Sequence, residues 1–471
     1  MIGFVDLFFF ITTWIVLMVG LVQNLIYTGY LYPAWREMRR RANAYDTEAA
    51  REALRRGEQT PVTLIVPAYD EALTIVDNAH SLLSLRYSDF EVIIVNDGSG
   101  DDTVSRLQDA LELEPVPRAL NPGLRHAEVR GVYRSAIYPN LHVVDKENGG
   151  KADAINAGLA CTRTDLFCVI DADSILQPEA LARATRPFQE PGEHVVAVGG
   201  TVGVANGCTV RHGQIERYDL PHRFVARAQA VEYTRAFLMA RLASSRTNTL
   251  ALISGAFGVF RTADVVEIGG YDPTTVGEDM EVVVRLHRHL RQAGRRYVMR
   301  YLPEPVCWTE VPSTLRGLSR QRVRWQRGAL ETLSRHWKMV FNPRYGRFGM
   351  VTLPGIVLID VVGPVVEVLG YVLVPLLWAW GTLNTPYFLA YVGLTFVFGI
   401  FLSAASLLLE QGSVERPTNA RQLLRLAWTA VLENFGYRQL NNIWRFVGLV
   451  RHFRSAPARW ADVGRTGFSK G

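Results

Sequence analysis

Four short runs rich in β-branched residues each precede a polar turn and a helical pattern. They cover residues 62–66, 91–95, 141–144 and 166–170. Such alternation of strand and helix signals predicts a parallel sheet with helices on both faces. Ligands of such sheets bind beyond the carboxyl ends of the strands. The polar residues that follow each run are therefore the first candidates for a functional site.

The fourth run ends in two carboxylates, Asp171 and Asp173, one residue apart. Side chains alternate along an extended strand, so both point the same way. Two anions held together are costly unless a cation lies between them, and a hard divalent ion with oxygen ligands meets that need. An isolated Asp-x-Asp triplet is more often a solvated turn or a helix cap. The pair predicts a metal site that binds a phosphate only when it is considered together with the polar residues that follow the other three runs.

The other polar clusters have a chemical interpretation beside a structural one. Asp97 follows the second run and can accept a hydrogen bond from the imide N–H of a base, on which Tyr69 can stack. Lys151 opens a helix after two glycines, where backbone N–H groups, the helix dipole and the ammonium suit a phosphate. The alternatives are an ordinary turn and a solvated lysine. With Asp171 and Asp173, these residues predict a nucleotide diphosphate site.

Further candidate residues for the site lie later in the chain. Gly255, in a turn punctuated by glycines, permits close approach of the backbone to a ligand. Glu278 and Asp279 begin an amphipathic helix, either as first-turn residues favoured by the helix dipole or as a general base in a cleft. In a later basic helix, Arg324 can face a diphosphate and Trp325 a sugar ring. The alternative for that helix is a position on a membrane surface.

Apolar segments on both sides of this region predict membrane spans. The chain is 48% hydrophobic with a mean hydropathy of +0.06, which is high for a soluble protein. Residues 4–31 are long and apolar enough to cross a bilayer and precede a cluster of arginines. The positive-inside rule predicts an N-terminus outside and a cytoplasmic location for the α/β region that follows. A signal peptide is disfavoured, because a basic start and a cleavage site are missing.

Two further spans are predicted near the C-terminal end, over residues 365–380 and 387–409. The nearby Asp360 and Glu367 are costly inside a membrane, and they predict a polar cavity or a buried partner. The net charge of +6 and the position of the basic residues favour a membrane surface over nucleic acid. The four cysteines have neither a CxxC pair nor metal-ligand spacing, so the sequence predicts no disulfide framework and no zinc site.

The predicted domain organisation has six parts. They are an N-terminal transmembrane helix (1–35), a charged linker (36–60), the α/β domain (61–310), amphipathic interface helices (311–346), transmembrane helices (347–410) and an amphipathic or re-entrant segment with a basic tail (411–471).

In their order along the chain, the motifs resemble those of the membrane-integrated family 2 glycosyltransferases, which include the hyaluronan, chitin, cellulose and poly-N-acetylglucosamine synthases. The matching segments are Pro67-Ala68-Tyr69, Asp97-Gly98-Ser99, Gly149-Gly150-Lys151, Asp171-x-Asp173, Gly277-Glu278-Asp279 and Gln321-x-x-Arg324-Trp325. The resemblance covers nearly the whole chain. It implies an α/β GT-A (Rossmann-like) domain with α-helical transmembrane and interfacial helices, inversion at the anomeric carbon, a UDP-sugar donor, and Mg²⁺ or Mn²⁺.

The resemblance also implies roles for individual residues. Asp97 would contact the uracil and Asp171 the nucleotide, Asp173 would ligate the metal, Asp279 would be the base, and the Gln-x-x-Arg-Trp motif would close over the diphosphate and acceptor. The full predicted site comprises Pro67, Tyr69, Glu71, Asp97, Lys151, Asp171 and Arg324 for the donor, Asp173 for the metal, Asp279 for catalysis, and Gly255, Glu278, Gln321 and Trp325 for the acceptor. Asp70 stands where the family more often has asparagine.

The predicted function is transfer of a sugar from UDP-N-acetylglucosamine or UDP-glucose to a growing polysaccharide of the cell envelope or exterior, by a multi-pass protein of the cell (inner) membrane. The expected partners are the donor, a glycan or lipid acceptor and membrane lipid, without nucleic acid. Three predicted spans are few for a secretion channel, so a second copy or an accessory membrane subunit is also expected. The alternatives are non-processive addition to a lipid acceptor and a catalytically inactive nucleotide-binding partner, although the motifs of this chain are intact.

Overall fold

The computed structural model describes residues 4–42, 59–211, 213–381, 383, 385–411 and 419–454. Its centre is a ten-stranded sheet with the order β3-β4-β5-β2-β1-β6-β11-β8-β12-β7. The strands of this sheet are β1 (Val62–Ala68), β2 (Phe90–Asp97), β3 (Leu113–Pro115), β4 (Val129–Ser135), β5 (Leu141–Lys146), β6 (Leu166–Val169), β7 (Ser174–Leu176), β8 (Val195–Val204), β11 (Gly258–Arg261) and β12 (Val298–Thr309). A separate hairpin joins β9 (Thr209–Arg211) to β10 (Gln214–Arg217).

The four predicted strands are β1, β2, β5 and β6, and they pair in parallel. Every residue of β1 and β6 is buried, which fits their continuous apolar sequence. The sheet as a whole is mixed, because β3, β4, β7 and β11 run antiparallel to their neighbours. The prediction of parallel pairing is therefore confirmed for the four runs on which it was based, and the antiparallel strands lie outside those runs.

The register of the parallel strands brings their carboxyl ends to one edge. Ala68 pairs with Asn96, and Asp97 pairs with Lys146 on the next strand. On the other side of β1, Ile65 pairs with Val169, two residues before Asp171. The predicted polar clusters consequently emerge side by side, as the alternation of strands and helices indicated.

Helices surround and extend the sheet. They are α1 (Phe4–Ala42), α2 (Ile75–Leu83), α3 (Thr103–Leu111), α4 (Lys151–Cys161), α5 (Ala180–Gln189), α6 (Phe224–Tyr233), α7 (Arg241–Arg246), α8 (Thr262–Glu267), α9 (Glu278–Gln292), α10 (Leu315–Arg335), α11 (Leu353–Ile356), α12 (Gly363–Ala379), α13 (Thr385–Gln411), α14 (Ala420–Leu432) and α15 (Tyr437–Phe453). Segments of π-helix cover Thr234–Ala240, Phe348–Thr352 and Val357–Val362, and 3₁₀ turns cover Trp337–Met339 and Pro343–Tyr345.

Two described helical stretches are long and apolar enough to cross a membrane, namely Trp14–Arg39 and Phe348–Ala379. A shorter apolar stretch, Phe396–Leu409, lies within α13. Residues 348–362, which precede the predicted span over residues 365–380, are helical throughout, with two π-helical segments around α11. The predicted charged linker and basic tail fall largely on residues 43–58 and 455–471, which lie outside the described part of the chain.

The N-terminal helix is attached to the α/β domain at its C-terminal end. Ala34 and Met38 are buried in the main hydrophobic core. Glu37 is 3% exposed, and its carboxylate lies 3.4 Å from the guanidinium of Arg246 in α7. A buried ion pair is costly to break on one side, so this contact fixes where α1 leaves the domain.

Close packing of the central strands depends on a glycine in β8. A Cβ atom at Gly200 would lie 2.1 Å from Cγ2 of Val306 and 2.9 Å from Cδ1 of Phe257. Gly200→Ala should therefore lower the thermal unfolding midpoint, because overpacking a core costs about 1–3 kcal/mol. At Gly100, an added methyl would meet only Asp70 Oδ1, at 4.0 Å. Gly100→Ala is the matched control. Equal midpoints for both variants in a thermal shift measurement would contradict the close packing of Gly200 against Val306 and Phe257.

Candidate active site

The first part of the site is an ammonium placed between carboxylates. Lys151 begins α4 directly after Gly150, whose φ of +89° favours glycine. Its Nζ contacts Oδ1 of Asp171 and lies 3.6 Å from Oε1 of Glu278. Burial opposes the charge of Lys151, but Asp171 and Glu278 raise its pKa above the ordinary value. The ammonium therefore stays charged and holds the end of β6 against the start of α9.

The acidic pair at the start of α9 has its own electrostatic balance. Burial raises the pKa of Glu278 above its ordinary range, Lys151 and Arg324 oppose that shift, and the neighbouring carboxylate of Asp279 adds to it. Glu278 is 6% exposed, in the wall of the site. Asp279 is partly exposed at the helix N-terminus. Of the two residues, Asp279 is the more accessible to an acceptor hydroxyl.

A glycine permits this arrangement. A Cβ atom at Gly255 would lie 2.8 Å from the Nζ of Lys151 and 3.8 Å from the Cβ of Asp279. Larger side chains at this position would displace the ammonium. The predicted close approach at Gly255 therefore involves Lys151 itself, and it leaves open space beside the acidic helix start.

Helix α10 brings the Gln-x-x-Arg-Trp motif to the same place. The ring of Trp325 is 37% exposed and faces Tyr233, with the ring centroids 6.4 Å apart. The guanidinium of Arg322 lies 4.5 Å from the centroid of the Trp325 ring and donates to Oε2 of Glu232 at 2.8 Å. Arg322 was not among the site residues predicted from the sequence. Its position three residues before Trp325, on the same side of a helix, was the available signal.

One cavity of about 1140 Å³ collects most of the predicted site. Its lining includes the predicted residues Pro67, Glu71, Lys151, Asp171, Asp173, Gly255, Glu278, Asp279, Gln321, Arg324 and Trp325. Tyr69 and Asp97 are not among the lining residues. The motifs separated by up to about 250 residues in the sequence thus share one space, which is large enough for a nucleotide sugar and an acceptor group.

Asp97 lies behind the cavity wall, where it anchors the loop that carries Lys151. Its carboxylate is 3% exposed and accepts from Nζ of Lys146 at 2.5 Å and from the backbone N–H groups of Gly149 and Gly150 at 3.0 and 2.7 Å. Lys146 is fully buried and also lies 2.7 Å from Oδ1 of Asp153. Burial raises the pKa of Asp97, and these donors oppose that shift. The observed contacts of Asp97 therefore hold in place the loop that precedes Lys151.

The loop after β1 is fixed by side chains that follow β2. The N–H of Asp70 donates to Oγ of Ser99 at 3.0 Å, and Oδ1 of Asp70 accepts from the N–H of Gly100 at 2.8 Å. Asp70 has a φ of +53°, a conformation that asparagine also adopts readily. Tyr69, next to it, is 38% exposed. Its ring is accessible for stacking at the edge of the sheet, although it does not line the main cavity.

The donor set of the site suits a hard divalent cation. Asp171 and Asp173 supply carboxylate oxygens at the end of β6 and line the cavity. Among the residues that the structure describes, no group of three His, Cys, Asp or Glu side chains is arranged to hold a metal ion. Mg²⁺ and similar ions commonly use one or two carboxylates together with substrate phosphates. The residues present therefore fit an ion that arrives with a diphosphate.

The cavity continues from this site towards the apolar helices. Its far end is lined by Gly20, Gln23, Asn24 and Tyr27 of α1, and by Asp360, Glu367, Asn434, Arg438, Asn442 and Arg445. Asp360 contacts the guanidinium of Arg445, and Glu367 accepts from Tyr371 and Asn442. The prediction of a polar cavity around the two acidic residues is therefore confirmed, and both residues have polar partners that are partly exposed.

Comparisons with known proteins agree with this geometry. A family model described as "Glycosyltransferase like family 2" matches residues 59–328. The poly-β-1,6-N-acetyl-D-glucosamine synthase of Staphylococcus aureus (strain COL) is 29% identical over 275 residues, which cover 58% of this chain and 56% of that protein. The corresponding synthase of Staphylococcus epidermidis is 27% identical over the same length. The chain thus spans about half the length of the curated relatives it matches.

A solved structure resembles nearly the whole chain. The mannosyltransferase PcManGT from Pyrobaculum calidifontis, in complex with GDP-Man and Mn²⁺, matches with a TM-score of 0.52 at 16% identity. The match covers 94% of this chain and 100% of that one. At this identity the similarity shows the fold alone. It agrees with the predicted GT-A type of mixed α/β domain.

The anchoring role of Asp97 leads to a prediction. Asp97→Asn should raise the Kd for uridine diphosphate by about tenfold, because an unmatched buried hydrogen-bonding group costs about 1–3 kcal/mol and the loop with Lys151 would relax. Asp70→Asn keeps an acceptor oxygen for Gly100 and should bind normally. Calorimetry with uridine diphosphate compares the two. If the Asp97→Asn protein bound uridine diphosphate with wild-type affinity, Asp97 would not anchor the loop that carries Lys151.

Proposed function

Because the chain belongs to the family 2 glycosyltransferases, we propose that it transfers a sugar from a UDP-sugar to a growing polysaccharide at the cell membrane, with inversion at the anomeric carbon. The observation that carries this proposal is the cavity shared by Lys151, Asp171, Asp173, Asp279, Arg324 and Trp325. It combines groups for a diphosphate, a cation and a nucleophile. The names of the curated relatives favour UDP-N-acetylglucosamine over UDP-glucose as the donor.

The chemistry follows from the charges in the cavity. The acceptor hydroxyl attacks the anomeric carbon, the bond between that carbon and the diphosphate breaks, and the hydroxyl proton passes to Asp279. Negative charge grows on the leaving diphosphate, and Lys151 and Arg324, which both line the cavity, would stabilise it. Trp325 presents its exposed ring to the sugar. A bound Mg²⁺ or Mn²⁺, held by Asp173 with Asp171 beside it, would supply further neutralisation of the diphosphate.

The far end of the cavity supports a glycan acceptor. Amide side chains such as Gln23, Asn24 and Asn442 and the paired charge of Arg445 line it between apolar helices. These groups can replace the hydrogen bonds that sugar hydroxyls make with water, whereas an apolar lipid tail would leave them unsatisfied. Single addition to a lipid acceptor remains the alternative. A product limited to one added sugar would favour it, and a long polymer would favour the polysaccharide.

The topology proposed here places the N-terminus outside the cell and the catalytic domain in the cytoplasm. The Trp14–Arg39 helix and the arginines near its end support this orientation. The Trp14–Arg39 and Phe348–Ala379 helices together support a multi-pass protein of the cell (inner) membrane. An accessory membrane subunit or a second copy would then extend the polar cavity across the bilayer.

Asp279→Asn tests the assigned base. The variant should lose transfer by about 10²–10⁴-fold, because the amide cannot take up the hydroxyl proton. Donor affinity should be unchanged, since the residues assigned to the donor remain. Release of uridine diphosphate reports turnover, and calorimetry with uridine diphosphate reports binding. An active Asp279→Asn enzyme would overturn the assignment.

The two carboxylates after β6 should respond differently to metal. Asp173→Asn should raise the Mn²⁺ concentration needed for half-maximal activity, because it removes a charged oxygen ligand. Asp171→Asn should mainly weaken nucleotide affinity, since Asp171 is ion-paired with Lys151. Chelation should abolish transfer in the wild-type enzyme. Equal shifts in metal requirement for both variants would contradict the division of roles.

A further inference from the structure

Helix α10 approaches the acidic helix start through two glycines. A Cβ atom at Gly277 would lie 2.7 Å from Cα of Gly328, and a Cβ at Gly328 would lie 2.7 Å from Cα of Gly277. The backbones therefore meet without an intervening side chain. This contact lies one residue before Glu278 and three residues after Trp325. It sets how far the proposed base is from the residues that cover the diphosphate.

A glutamate one turn further along α10 locks this contact. Oε2 of Glu331 accepts from the backbone N–H of Val276 at 3.0 Å and from Oγ1 of Thr275 at 2.9 Å. Oγ1 of Thr275 in turn accepts from the N–H of Gly277 at 3.2 Å. The other oxygen of Glu331 accepts from Nε of Arg327 at 2.9 Å. The carboxylate thus ties α10 to the last three residues before α9.

The same face of α10 carries further contacts with this segment. Arg335 donates to the carbonyl oxygen and Oγ1 of Thr274, at 3.0 and 2.7 Å, and pairs with Asp272. His336, just after the helix, lies 3.2 Å from Oε1 of Glu281. These contacts are peripheral to the base. Among these contacts, those of Glu331 reach Thr275 and Val276, the residues nearest to the start of α9.

The opposite face of α10 binds elements near the membrane. Arg322 pairs with Glu232, which also accepts from the hydroxyl of Tyr437 at 2.8 Å. Oε1 of Gln326 accepts from Nε of Arg445 at 3.1 Å. The side of the helix that carries Arg322 and Gln326 is therefore fixed independently of Glu331. Loss of the Glu331 contacts would release Thr275 and Val276, close to the start of α9, while Arg335 still holds Thr274 and α10 stays in place.

We propose that Glu331 is a positioning residue that fixes Asp279 relative to Arg324 and Trp325, and so determines whether an acceptor or water attacks the donor. This inference rests on the roles assigned to these residues under the proposed function. An acceptor hydroxyl is held by its own sugar ring and reaches Asp279 only at the correct spacing. Water is small and needs no such alignment.

Both reactions have the same balance of atoms. In transfer, the acceptor oxygen bonds to the anomeric carbon, the bond to the diphosphate breaks, and the hydroxyl proton goes to the base. In hydrolysis, a water oxygen takes the place of the acceptor, and free sugar and nucleoside diphosphate are released. Displacement of Asp279 should slow the first reaction more than the second. The ratio of transferred to hydrolysed sugar therefore reports the position of the base.

Glu331→Ala should lower transfer by about ten- to a hundredfold, in line with the cost of misplaced reacting groups, and should raise the fraction of donor that is hydrolysed. The Kd for uridine diphosphate should remain unchanged. Glu331→Gln retains an oxygen acceptor for Val276 and Thr275 and should partition donor as the wild type does. Arg327→Gln removes the ion pair alone and should also behave as the wild type.

The measurement uses the full-length protein in detergent or nanodiscs, with UDP-N-acetylglucosamine labelled in the sugar, and counts polymer-bound and free sugar. Unchanged partition in Glu331→Ala would overturn the inference. If that variant does not fold, Thr275→Val removes one of the two donors to Glu331 at nearly constant volume and should show a smaller increase in hydrolysis. Unchanged partition in that variant would equally overturn the inference.

The inference and the proposed function fail in different ways. An active Asp279→Asn enzyme would show that Asp279 is not the base. The inference about Glu331 would then lose its premise. An inactive Asp279→Asn enzyme together with normal partition in Glu331→Ala would leave the proposed function intact and refute the positioning role of Glu331.

Discussion

The ammonium of Lys151 compensates carboxylates that would otherwise repel one another. It joins Asp171 at the end of β6 to Glu278 at the start of α9, two residues 107 positions apart in the sequence. Without a cation, the acidic groups of this edge would favour separation or protonation. The ion pairs allow the strand end, the loop after β5 and the acidic helix start to meet. The donor side and the acceptor side of the cavity depend on this contact.

Much of this arrangement was accessible from the sequence because it depends on local patterns. Apolar runs identified the four parallel strands, and the polar residues that follow them had to emerge at one edge. The antiparallel strands β3, β4, β7 and β11 were not predicted, since segments of three to seven residues are too short for their sequence pattern to distinguish them from loops. Their pairing is decided by neighbouring strands that are distant in the chain.

The contacts that the sequence did not reveal are tertiary. The contact of Asp97 with a base stays a prediction, and the structure adds that its carboxylate accepts from Lys146, because the two residues are register partners on adjacent strands. Arg322 supports Trp325 only once Glu232 is brought beside it. Glu331 looks like an ordinary helical ion-pair residue until the segment before α9 lies against it. In each case the contact depends on a partner elsewhere in the fold, which the sequence pattern alone does not identify.

We propose that the shared cavity transfers sugar from a UDP-sugar to a glycan. The most direct test is incubation of the purified protein with Mn²⁺ and a panel of UDP-sugars, with parallel measurement of released uridine diphosphate and of sugar incorporated into polymer. We expect both signals with UDP-N-acetylglucosamine and a product of many sugar units. Release of uridine diphosphate without incorporation, or no release with any UDP-sugar, would contradict the claim.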